Sequence, residues 1–238
     1  MQAEVFVDTR GLSHEEWLEY RRKGIGGSDV AGVADIVPWS SPVEVWLDKK
    51  GEIGPKDDNE AMRIGRDLED YVAQRFVEKR SKDLGREVKV HNVNQILQHP
   101  EHKFMLANLD RRVVGEHSLL ECKTTVDYWN EITFDFFPNY YKAQIQHYLA
   151  VTGYEKAYLA VLVLNKRLFY YYEVPRDEDI IKDLIVIEKE FWNDYVLTGQ
   201  RPPISGSKHD SDLINKLYPE AAEGRVANLN KEIRDLIE

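Results

Sequence analysis

Apolar positions recur every three or four residues along several segments, which is the spacing of an amphipathic helix. The longest such segment predicts a helix from about Asn59 to Ser81. Its buried face is predicted to consist of five apolar side chains: Ile64, Leu68, Tyr71, Val72 and Phe76. The same spacing predicts a helix at NYYKAQIQHYLAVTG, ending at Gly153, and another from Asp177 to Leu197. A charged segment from Ser211 to Glu238 is also predicted to be helical.

The helix starts near the N-terminus carry capping signals. Ser13 and Glu16 form a capping box, because a serine side chain and a glutamate three residues later can satisfy each other's free N–H groups. Ser41 and Glu44 repeat this pattern, with a proline at the first helical position. Ser28 follows the glycine-rich turn of RRKGIGGSDVAG and is predicted to be the N-cap of the helix DVAGVADI.

Between about Glu87 and Thr125 the pattern changes to that of strands, in EVKVHNVNQIL, KFMLANLDRRVV and SLLECKTT. GEHS, between the last two, predicts a hairpin turn. Two further strands, KAYLAVLVL and RLFYYYEV, are joined by a short NK turn. The order of helices, three strands in a meander, a helix, two strands and closing helices predicts an α/β (α+β) fold with a mixed sheet flanked by helices on both faces.

The composition is that of a globular protein with a sizeable core, because 42% of the 238 residues are hydrophobic. No apolar run approaches the roughly 20 residues that span a bilayer, so no membrane association is expected. The single cysteine, Cys122, excludes an internal disulfide framework and a Cys-x-x-Cys metal site. The N-terminus lacks the pattern of a secretory signal, and together these features predict a cytoplasmic protein.

The charge balance narrows the possible functions. A formal net charge of −10 argues against nucleic-acid binding by bulk charge alone, although basic clusters occur early, in YRRKG, DKKG and EKRSK. A carboxylate-rich site that binds divalent metal would let such a protein hold phosphate locally. The chain has no G-x-x-x-x-G-K-[ST] motif, so an ATP motor is not expected. G-x-G-G follows a basic helix instead of a strand, which argues against dinucleotide binding.

The segments ANLDRRV and LLECKTT carry the strongest candidate chemistry. Asp110 is predicted to lie within one strand and Glu121 within the next. Glu121 and Lys123 are two residues apart and point to one face, whereas Cys122 points to the other face and is expected to be buried. Two carboxylates facing one way suit Mg²⁺ or Mn²⁺, and a lysine beside the metal can orient a water or stabilise charge on a phosphate. From these residues alone, the favoured interpretation is structural, with Glu-x-Lys as a solvated ion pair and the aspartate as a turn residue.

Asp-x(10)-Glu-x-Lys between paired strands, followed by a helix with QIQHYLAVTG, resembles the PD-(D/E)XK nuclease superfamily. Within it, four segments in order resemble the YqaJ-type viral recombinase and phage lambda exonuclease family: RRKGIGGSDVAG…PWSSPVEVW, GRDLEDYV, LLECKTT and YYKAQIQHYLAVTG. The resemblance covers roughly Glu16 to Pro203 and implies a restriction-endonuclease-like fold. It predicts a nuclease domain with an N-terminal helical part at residues 1–203. GQRPPISGSKHD breaks the pattern, and a C-terminal helical extension is predicted at 204–238.

The resemblance also implies roles for residues around the metal. Asp110, Glu121 and the backbone carbonyl of Cys122 match the family's metal ligands, with two ions expected. Glu69 in GRDLEDYV matches an acidic helix residue that supports the second ion or its waters. Lys123 matches the catalytic lysine.

Further residues match positions that bind substrate. Gln144, the first glutamine of QIQ, matches a residue that helps to position the attacking water. Arg22 and Ser28 match residues that bind the terminal 5′-phosphate of a DNA strand, and Arg21 stays open as the phosphate arginine because the spacing differs by one. Asn108 stands where phage lambda exonuclease has a serine, although an amide can also donate hydrogen bonds. An alternative interpretation of the glycine-rich turn is purely structural. The glycines would then allow a tight turn, and Ser28 would be an ordinary helix cap.

The function implied by the resemblance is a Mg²⁺-dependent 5′→3′ exonuclease, for which Mn²⁺ would substitute. It would degrade one strand of linear double-stranded DNA from its ends during phage or prophage recombination in a bacterial host cell. A homotrimeric ring around the duplex and a partner single-strand annealing protein are implied as well. Two alternatives stay open. One is an endonuclease or junction resolvase on the same fold, and the other is a non-catalytic module that binds DNA ends or protein.

Overall fold

The structure is a computed structural model that describes residues 3–55, 58–126 and 137–217. Within these ranges the α-helices are α1 (His14–Arg22), α2 (Val30–Val33), α3 (Pro42–Lys50), α4 (Glu60–Leu84), α5 (Asn139–Thr152), α6 (Glu178–Glu190) and α7 (Lys208–Leu217). The strands are β1 (Glu4–Asp8), β2 (Val90–Asn92), β3 (Gln95–Gln98), β4 (Leu106–Asn108), β5 (Arg111–Val113), β6 (Ser118–Thr125), β7 (Lys156–Val163) and β8 (Leu168–Pro175). In this part of the chain, no helix combines the length and the apolar character that crossing a bilayer requires.

The strands form two sheets. One is antiparallel with the order β1-β3-β4, and the other is mixed with the order β2-β5-β6-β7-β8. Strands β6 and β7 run parallel, because α5 lies between them in the chain and returns it to the same edge. The predicted hairpins β5–β6 and β7–β8 are confirmed as antiparallel pairs.

Helices cover both faces of the mixed sheet, so the predicted α/β fold class is confirmed. On one face α5 packs Ile145 and Leu149 against residues of β6 and β7 that include Leu119. On the other face α4 packs Val72 and Phe76 against the intervening residues of the same strands. Successive strand residues therefore enter different cores, as the alternation of side chains in a strand requires.

The predicted meander of three strands is wrong in detail. EVKVHNVNQIL forms both β2 and β3, and KFMLANLDRRVV forms both β4 and β5, with the members of each pair in different sheets. The chain crosses between the sheets at Val93–Asn94 and at Leu109–Asp110, so Asp110 lies at a corner and not within a strand. Strand β1, which the sequence pattern did not predict, pairs with β3. Side chains alternate with a period of two in the strands of both sheets. The alternation of apolar and polar residues therefore cannot show where the chain passes from one sheet to the other.

The caps are confirmed at two of the three predicted positions. Ser13 completes a capping box, and the side chain of Ser41 accepts a hydrogen bond at the start of α3. The prediction for Ser28 is wrong, because the N-cap residue of the single-turn helix α2 is Asp29. The carboxylate of Asp29 instead turns back to the N–H of Gly26 and closes the glycine turn.

The longer helices differ from expectation at particular positions. Val72 and Phe76 are buried as predicted, but Tyr71 is 48% exposed, because five residues separate it from Phe76 and place it about 140° around the helix. The predicted helix from Asp177 to Leu197 is α6 followed by a π-helical turn, Phe191–Val196. The predicted C-terminal helix is present as α7 up to Leu217, and the rest of that prediction lies outside the described residues.

Candidate active site

Strand β6 carries the centre of the predicted site. Glu121 and Lys123 share one face of the strand, and Cys122 is buried on the other, as predicted. Asp110 reaches the same place from the corner between β4 and β5, and its Oδ2 accepts a hydrogen bond from the N–H of Cys122 at 2.7 Å. The structure therefore brings together the two carboxylates and the lysine that the sequence pattern singled out.

The environment of Asp110 disfavours its charge, and Glu121 is buried beside it. Burial raises the pKa of Asp110 well above its usual range, and the charge of Glu121 raises it further. Glu121 is 2% exposed, and its Oε2 is buried with no hydrogen-bond partner among the described residues. A buried polar atom without a partner costs about 1–3 kcal/mol, and more when it is charged. A divalent cation would relieve both the repulsion and the unpartnered oxygen, so these residues fit a hard metal ion.

Few protein groups among the described residues could bind a metal ion at this site. In the described ranges no group of three or more His, Cys, Asp and Glu side chains is arranged to hold a metal ion. The predicted set is Asp110, Glu121 and the main-chain carbonyl of Cys122, and the ligand roles of these groups stay predictions. Mg²⁺ commonly keeps several waters and binds through one or two carboxylates, so such a set suits it.

Lys123 and Gln144 meet at the same carboxylate oxygen. Nζ of Lys123 lies 2.7 Å from Oε1 of Glu121, and Nε2 of Gln144 in α5 donates to this oxygen at 2.7 Å. Burial alone would lower the pKa of Lys123, but Glu121 and Asp110 raise it, so the lysine is held as a cation. In this state Lys123 can stabilise negative charge on a phosphate but cannot accept a proton.

The second amide hydrogen of Gln144 is also used within the protein. Nε2 of Gln144 donates to the hydroxyl oxygen of Tyr148, one turn further along α5, at 3.2 Å. With both hydrogens of this amide engaged, its carbonyl oxygen is the group that can accept a hydrogen bond from a water. That geometry suits the role predicted for Gln144.

Glu69 is tied to an arginine that the sequence reasoning missed. Arg111 is 6% exposed and donates to Oε1 of Glu69 at 2.5 Å and to the main-chain oxygen of Asp110 at 2.6 Å. It also donates to the exposed carboxylate of Asp70. Arg111 thus connects α4 to the corner that carries Asp110. Its position directly after Asp110 in LDRR was the available signal, but an arginine in a strand is usually exposed. The metal-supporting role of Glu69 stays a prediction.

The glycine loop, residues 24–28, is contacted by Arg21. Nη2 of Arg21 lies 2.8 Å from Oγ of Ser28 and 3.3 Å from Oδ1 of Asp29. Arg22 points elsewhere, to Oδ1 of Asp48 at 3.4 Å and to a main-chain carbonyl at 3.2 Å. Of the two arginines that the sequence left open, the structure therefore brings Arg21 to Ser28. The 5′-phosphate roles of these residues stay predictions.

Asp29 sets the charge and shape of this loop. Its Oδ2 accepts hydrogen bonds from the N–H of Gly26 at 2.8 Å and from Nζ of the buried Lys49 at 2.6 Å. Burial alone would raise the pKa of Asp29, but Lys49 and Arg21 lower it to about 2. Arg21, Arg22 and Lys49 pair with two carboxylates, Asp29 and Asp48, so this cluster carries one positive charge in excess. The main-chain N–H groups of Gly27 and Ser28 form no hydrogen bond with any described residue. Gly27 is buried and Ser28 is exposed, so the N–H of Ser28 is the one that is open to an anion.

One cavity lies beside the glycine loop and another lies over Asp110. One of about 720 Å³ opens beside Arg21 and Ser28, and the other of about 350 Å³ lies over Asp110 and Glu69. Arg66 lines both cavities. Asn108, at the end of β4, lines the cavity over the carboxylates and not the one beside the glycine loop. Its predicted role beside a terminal phosphate stays a prediction.

Comparisons with known proteins identify similar chains. Residues 16–155 match the model of the YqaJ-like viral recombinase domain. The uncharacterized protein YqaJ of Bacillus subtilis (strain 168) is 40% identical over 244 residues, which cover 100% of this chain and 73% of that protein. The structure of an alkaline exonuclease (LHK-Exo) from Laribacter hongkongensis matches with a TM-score of 0.60 at 18% identity, over 87% of this chain and 100% of that one. Its complex with dAMP matches with a TM-score of 0.61 at 19% identity. At 18% and 19% identity, the likeness to these two structures shows a shared fold.

Proposed function

The chain belongs to the YqaJ-like viral recombinase family, and on that premise we propose that it is a metal-dependent exonuclease acting on the ends of double-stranded DNA. The observation that carries this proposal is the pair of carboxylates, the half-buried Asp110 and the buried Glu121, with Lys123 ion-paired to Glu121. With a divalent cation bound, such a site would suit hydrolysis of a phosphodiester, because the cation and Lys123 would stabilise the negative charge that develops in the transition state.

Asp110, Glu121 and the carbonyl of Cys122 would hold Mg²⁺, or Mn²⁺ in its place, with Glu69 supporting a second ion. A bound cation supplies positive charge to the scissile phosphate and lowers the pKa of the attacking water. The carbonyl oxygen of Gln144 would orient that water, because the amide hydrogens of Gln144 are already engaged. Lys123, held as a cation, would stabilise the negative charge that develops on the phosphate.

The 5′→3′ direction is proposed from the glycine loop. Arg21, together with the hydroxyl and the unbonded N–H of Ser28, would form a cradle for a terminal phosphate. An arginine suits a terminal phosphate, since its planar guanidinium can make two parallel hydrogen bonds. The contacts favour Arg21 over Arg22 for this role, and Asn108 would act nearer to the scissile phosphate.

The assembly is part of the proposal on the basis of family membership. We infer a homotrimeric ring around duplex DNA, a partner single-strand annealing protein, and use in phage or prophage recombination. The division into a nuclease domain at residues 1–203 and an extension from 204 is proposed as well. The buried Asp210 of α7, which accepts hydrogen bonds from Ser205, indicates that the extension begins with a packed helix. Sedimentation of the purified protein tests the ring, and a monomer at working concentration would remove it.

The activity is tested on three DNA substrates. Linear duplex with a 5′-phosphate, linear duplex with a 5′-hydroxyl, and a covalently closed circle are incubated with the protein and Mg²⁺, with EDTA as the metal-free control. We expect nucleotide release from linear DNA, fastest with the 5′-phosphate, and an intact circle. Cutting of the circle would favour an endonuclease, and DNA binding without hydrolysis would favour a non-catalytic module.

A further inference from the structure

Tyr148 connects the glycine loop to the carboxylate site through a single side chain. Its hydroxyl oxygen accepts the hydrogen bond from Gln144, which also donates to Glu121. On its other side, the ring lies against Gly27. A Cβ atom added to Gly27 would lie 2.4 Å from Cε1, 2.6 Å from Cζ and 2.9 Å from the hydroxyl oxygen of Tyr148. Nothing larger than a hydrogen fits there, so the close approach itself requires glycine at position 27.

The contact is rigid as well as close. Tyr148 is 5% exposed and belongs to the core cluster that includes Ile145 and Leu149 of the same helix. Cores of this kind are packed as densely as organic crystals, so a buried ring transmits displacement instead of absorbing it. A shift of the loop at Gly27 is therefore expected to move Tyr148, and with it Gln144.

The hydroxyl group of Tyr148 has an unused hydrogen-bond donor among the described residues. It accepts from Gln144, and its own hydrogen has no acceptor among the described residues. Burial raises the pKa of Tyr148, and the carboxylates of Glu121 and Asp110 raise it further, so the hydroxyl keeps its proton. The hydroxyl borders Gly27, whose N–H is also free. A second donor without a partner among the described residues therefore lies beside the loop.

We propose that Tyr148 is a positioning residue that sets the spacing between the terminal phosphate on the glycine loop and the scissile phosphate at the carboxylates. The number of nucleotides between these two phosphates is the length of the product released by each cut, so Tyr148 determines product length. This inference rests on the proposed function. The contact between the ring of Tyr148 and Gly27 fixes the distance between the two phosphates. The hydrogen bond between the hydroxyl of Tyr148 and Gln144 fixes the orientation of Gln144.

Two variants separate the two parts of this role. Gly27→Ala places a methyl group into the ring contact and displaces the loop from α5. Tyr148→Phe keeps the ring against Gly27 and removes only the hydroxyl. Matched controls are Gly65→Ala, where an added Cβ meets its nearest atom at an ordinary 3.7 Å, and Tyr154→Phe, whose ring lies beside His117. Thermal unfolding verifies that each variant is folded.

The assay uses linear duplex labelled with ³²P on its 5′-phosphate, and the released products are sized on a denaturing gel. The wild type and both controls are expected to release one product length. Gly27→Ala is expected to release a mixture of lengths and to lose preference for 5′-phosphorylated ends about 10-fold or more. Tyr148→Phe is expected to keep the product length but to lower kcat by about 10- to 100-fold at nearly constant KM, because Gln144 loses one of its anchors.

A folded Gly27→Ala protein that releases a single product length and keeps its 5′-phosphate preference would overturn the spacing role. An unchanged kcat in Tyr148→Phe would overturn the role of the hydroxyl. If Gly27→Ala does not fold, Tyr148→Leu removes the same ring contact and is expected to give the same mixture, and a single product length would then count against the proposal. Failure of the wild type to release any nucleotide is a different result, because it would contradict the proposed exonuclease function itself.

Discussion

Nζ of Lys123 lies 2.7 Å from Oε1 of Glu121, and both side chains project from the same face of β6. This ion pair neutralises Glu121 but not Asp110, the other carboxylate of the site. Asp110 forms no ion pair with any described residue and accepts one hydrogen bond, from the N–H of Cys122. Among the described residues Asp110 is therefore the carboxylate of this pair that lacks a cationic partner, and removing different members of the site should separate metal binding from chemistry.

The first prediction concerns Asp110 and Lys123. Mg²⁺ is expected to stabilise the wild type by about 2.7 kcal/mol at 100 times its Kd, because it binds the folded state alone. Asp110→Asn should lose this stabilisation together with activity. Lys123→Met should keep the stabilisation yet lose about 100-fold or more in kcat, because the charge on the phosphate loses its partner. Thermal unfolding with and without Mg²⁺, together with single-turnover rates, measures both effects.

Asp179→Asn serves as the control for these variants, since Asp179 is an exposed carboxylate on α6. It should alter neither the Mg²⁺ effect nor the rate. Persistence of the Mg²⁺-dependent stabilisation in Asp110→Asn would contradict the assignment of Asp110 as a metal ligand.

The second prediction distinguishes the two arginines ahead of the glycine loop. Arg21→Ala should reduce the preference for 5′-phosphorylated over 5′-hydroxyl ends by about 10- to 100-fold, as expected for losing a hydrogen bond to a charged group worth about 1.5–3 kcal/mol. Arg22→Ala should keep the preference and cost less than about 1 kcal/mol of stability, because its partner Asp48 is partly exposed. The ratio of kcat/KM on the two substrates measures the preference. The reverse outcome would assign the phosphate to Arg22.

The third prediction concerns a buried charge pair next to the site. Nδ1 of His147 in α5 lies 2.8 Å from Oε1 of Glu188 in α6, and Nε2 of His147 lies 2.8 Å from the main-chain oxygen of Leu106. Neither side chain of the pair is exposed. His147→Phe and Glu188→Leu should each cost about 3–5 kcal/mol, because each leaves the other group buried without its partner. The double variant should cost much less than the sum of the two single variants.

Urea unfolding of the wild type, the two single variants and the double variant gives the coupling energy. Lys208 and Asp212, an exposed pair one turn apart on α7, provide a matched comparison. Breaking that pair should cost less than about 1 kcal/mol. Additive costs for His147→Phe and Glu188→Leu would show that the buried pair is not coupled.

The fourth prediction is the pH dependence of the same pair. Burial alone would lower the pKa of His147, but Glu188 and the carbonyl of Leu106 raise it above its usual 6.5. Burial raises the pKa of Glu188, and His147 offsets this only in part. Both groups bind protons more tightly in the folded protein than in the unfolded chain. Their contribution to stability is therefore greatest at low pH, and the His147 part is lost as pH rises from 6.5 through its raised pKa.

Unfolding free energies measured from pH 5 to pH 9 (about the range in which the histidine titrates) test this sign. The wild type should lose stability with rising pH more steeply than the double variant His147→Phe/Glu188→Leu. All other titrating groups are common to both proteins. The difference between the two curves of unfolding free energy against pH is therefore due to His147 and Glu188. Parallel curves would mean that the pair contributes no pH dependence.

Much of the architecture followed from local patterns in the sequence. The alternation in SLLECKTT put Glu121 and Lys123 on one face and buried Cys122, because side chains of a strand alternate whatever its neighbours are. The capping box at Ser13 and the glycine at the end of α5 were predictable for the same reason, since caps depend on residues within one turn. The α/β class and the family resemblance rested on such segments in their order along the chain.

Other features depended on contacts between distant segments. The change of sheet at Asp110 left no mark on the alternation, and Ser28 lost its expected cap because Asp29 turned back to the loop. Which of Arg21 and Arg22 contacts Ser28 depends on where α1 places each side chain relative to the loop and to α3.

The sequence by itself determined which residues could carry the chemistry: the spacing of Asp110, Glu121 and Lys123 and the glycine-rich turn. The tertiary structure alone decided how those groups are joined. It placed Gly27 against Tyr148, although 121 positions separate them in the chain. Side-chain periodicity reports the face on which a residue lies, whereas the partner on that face is chosen by the packing of whole helices and strands.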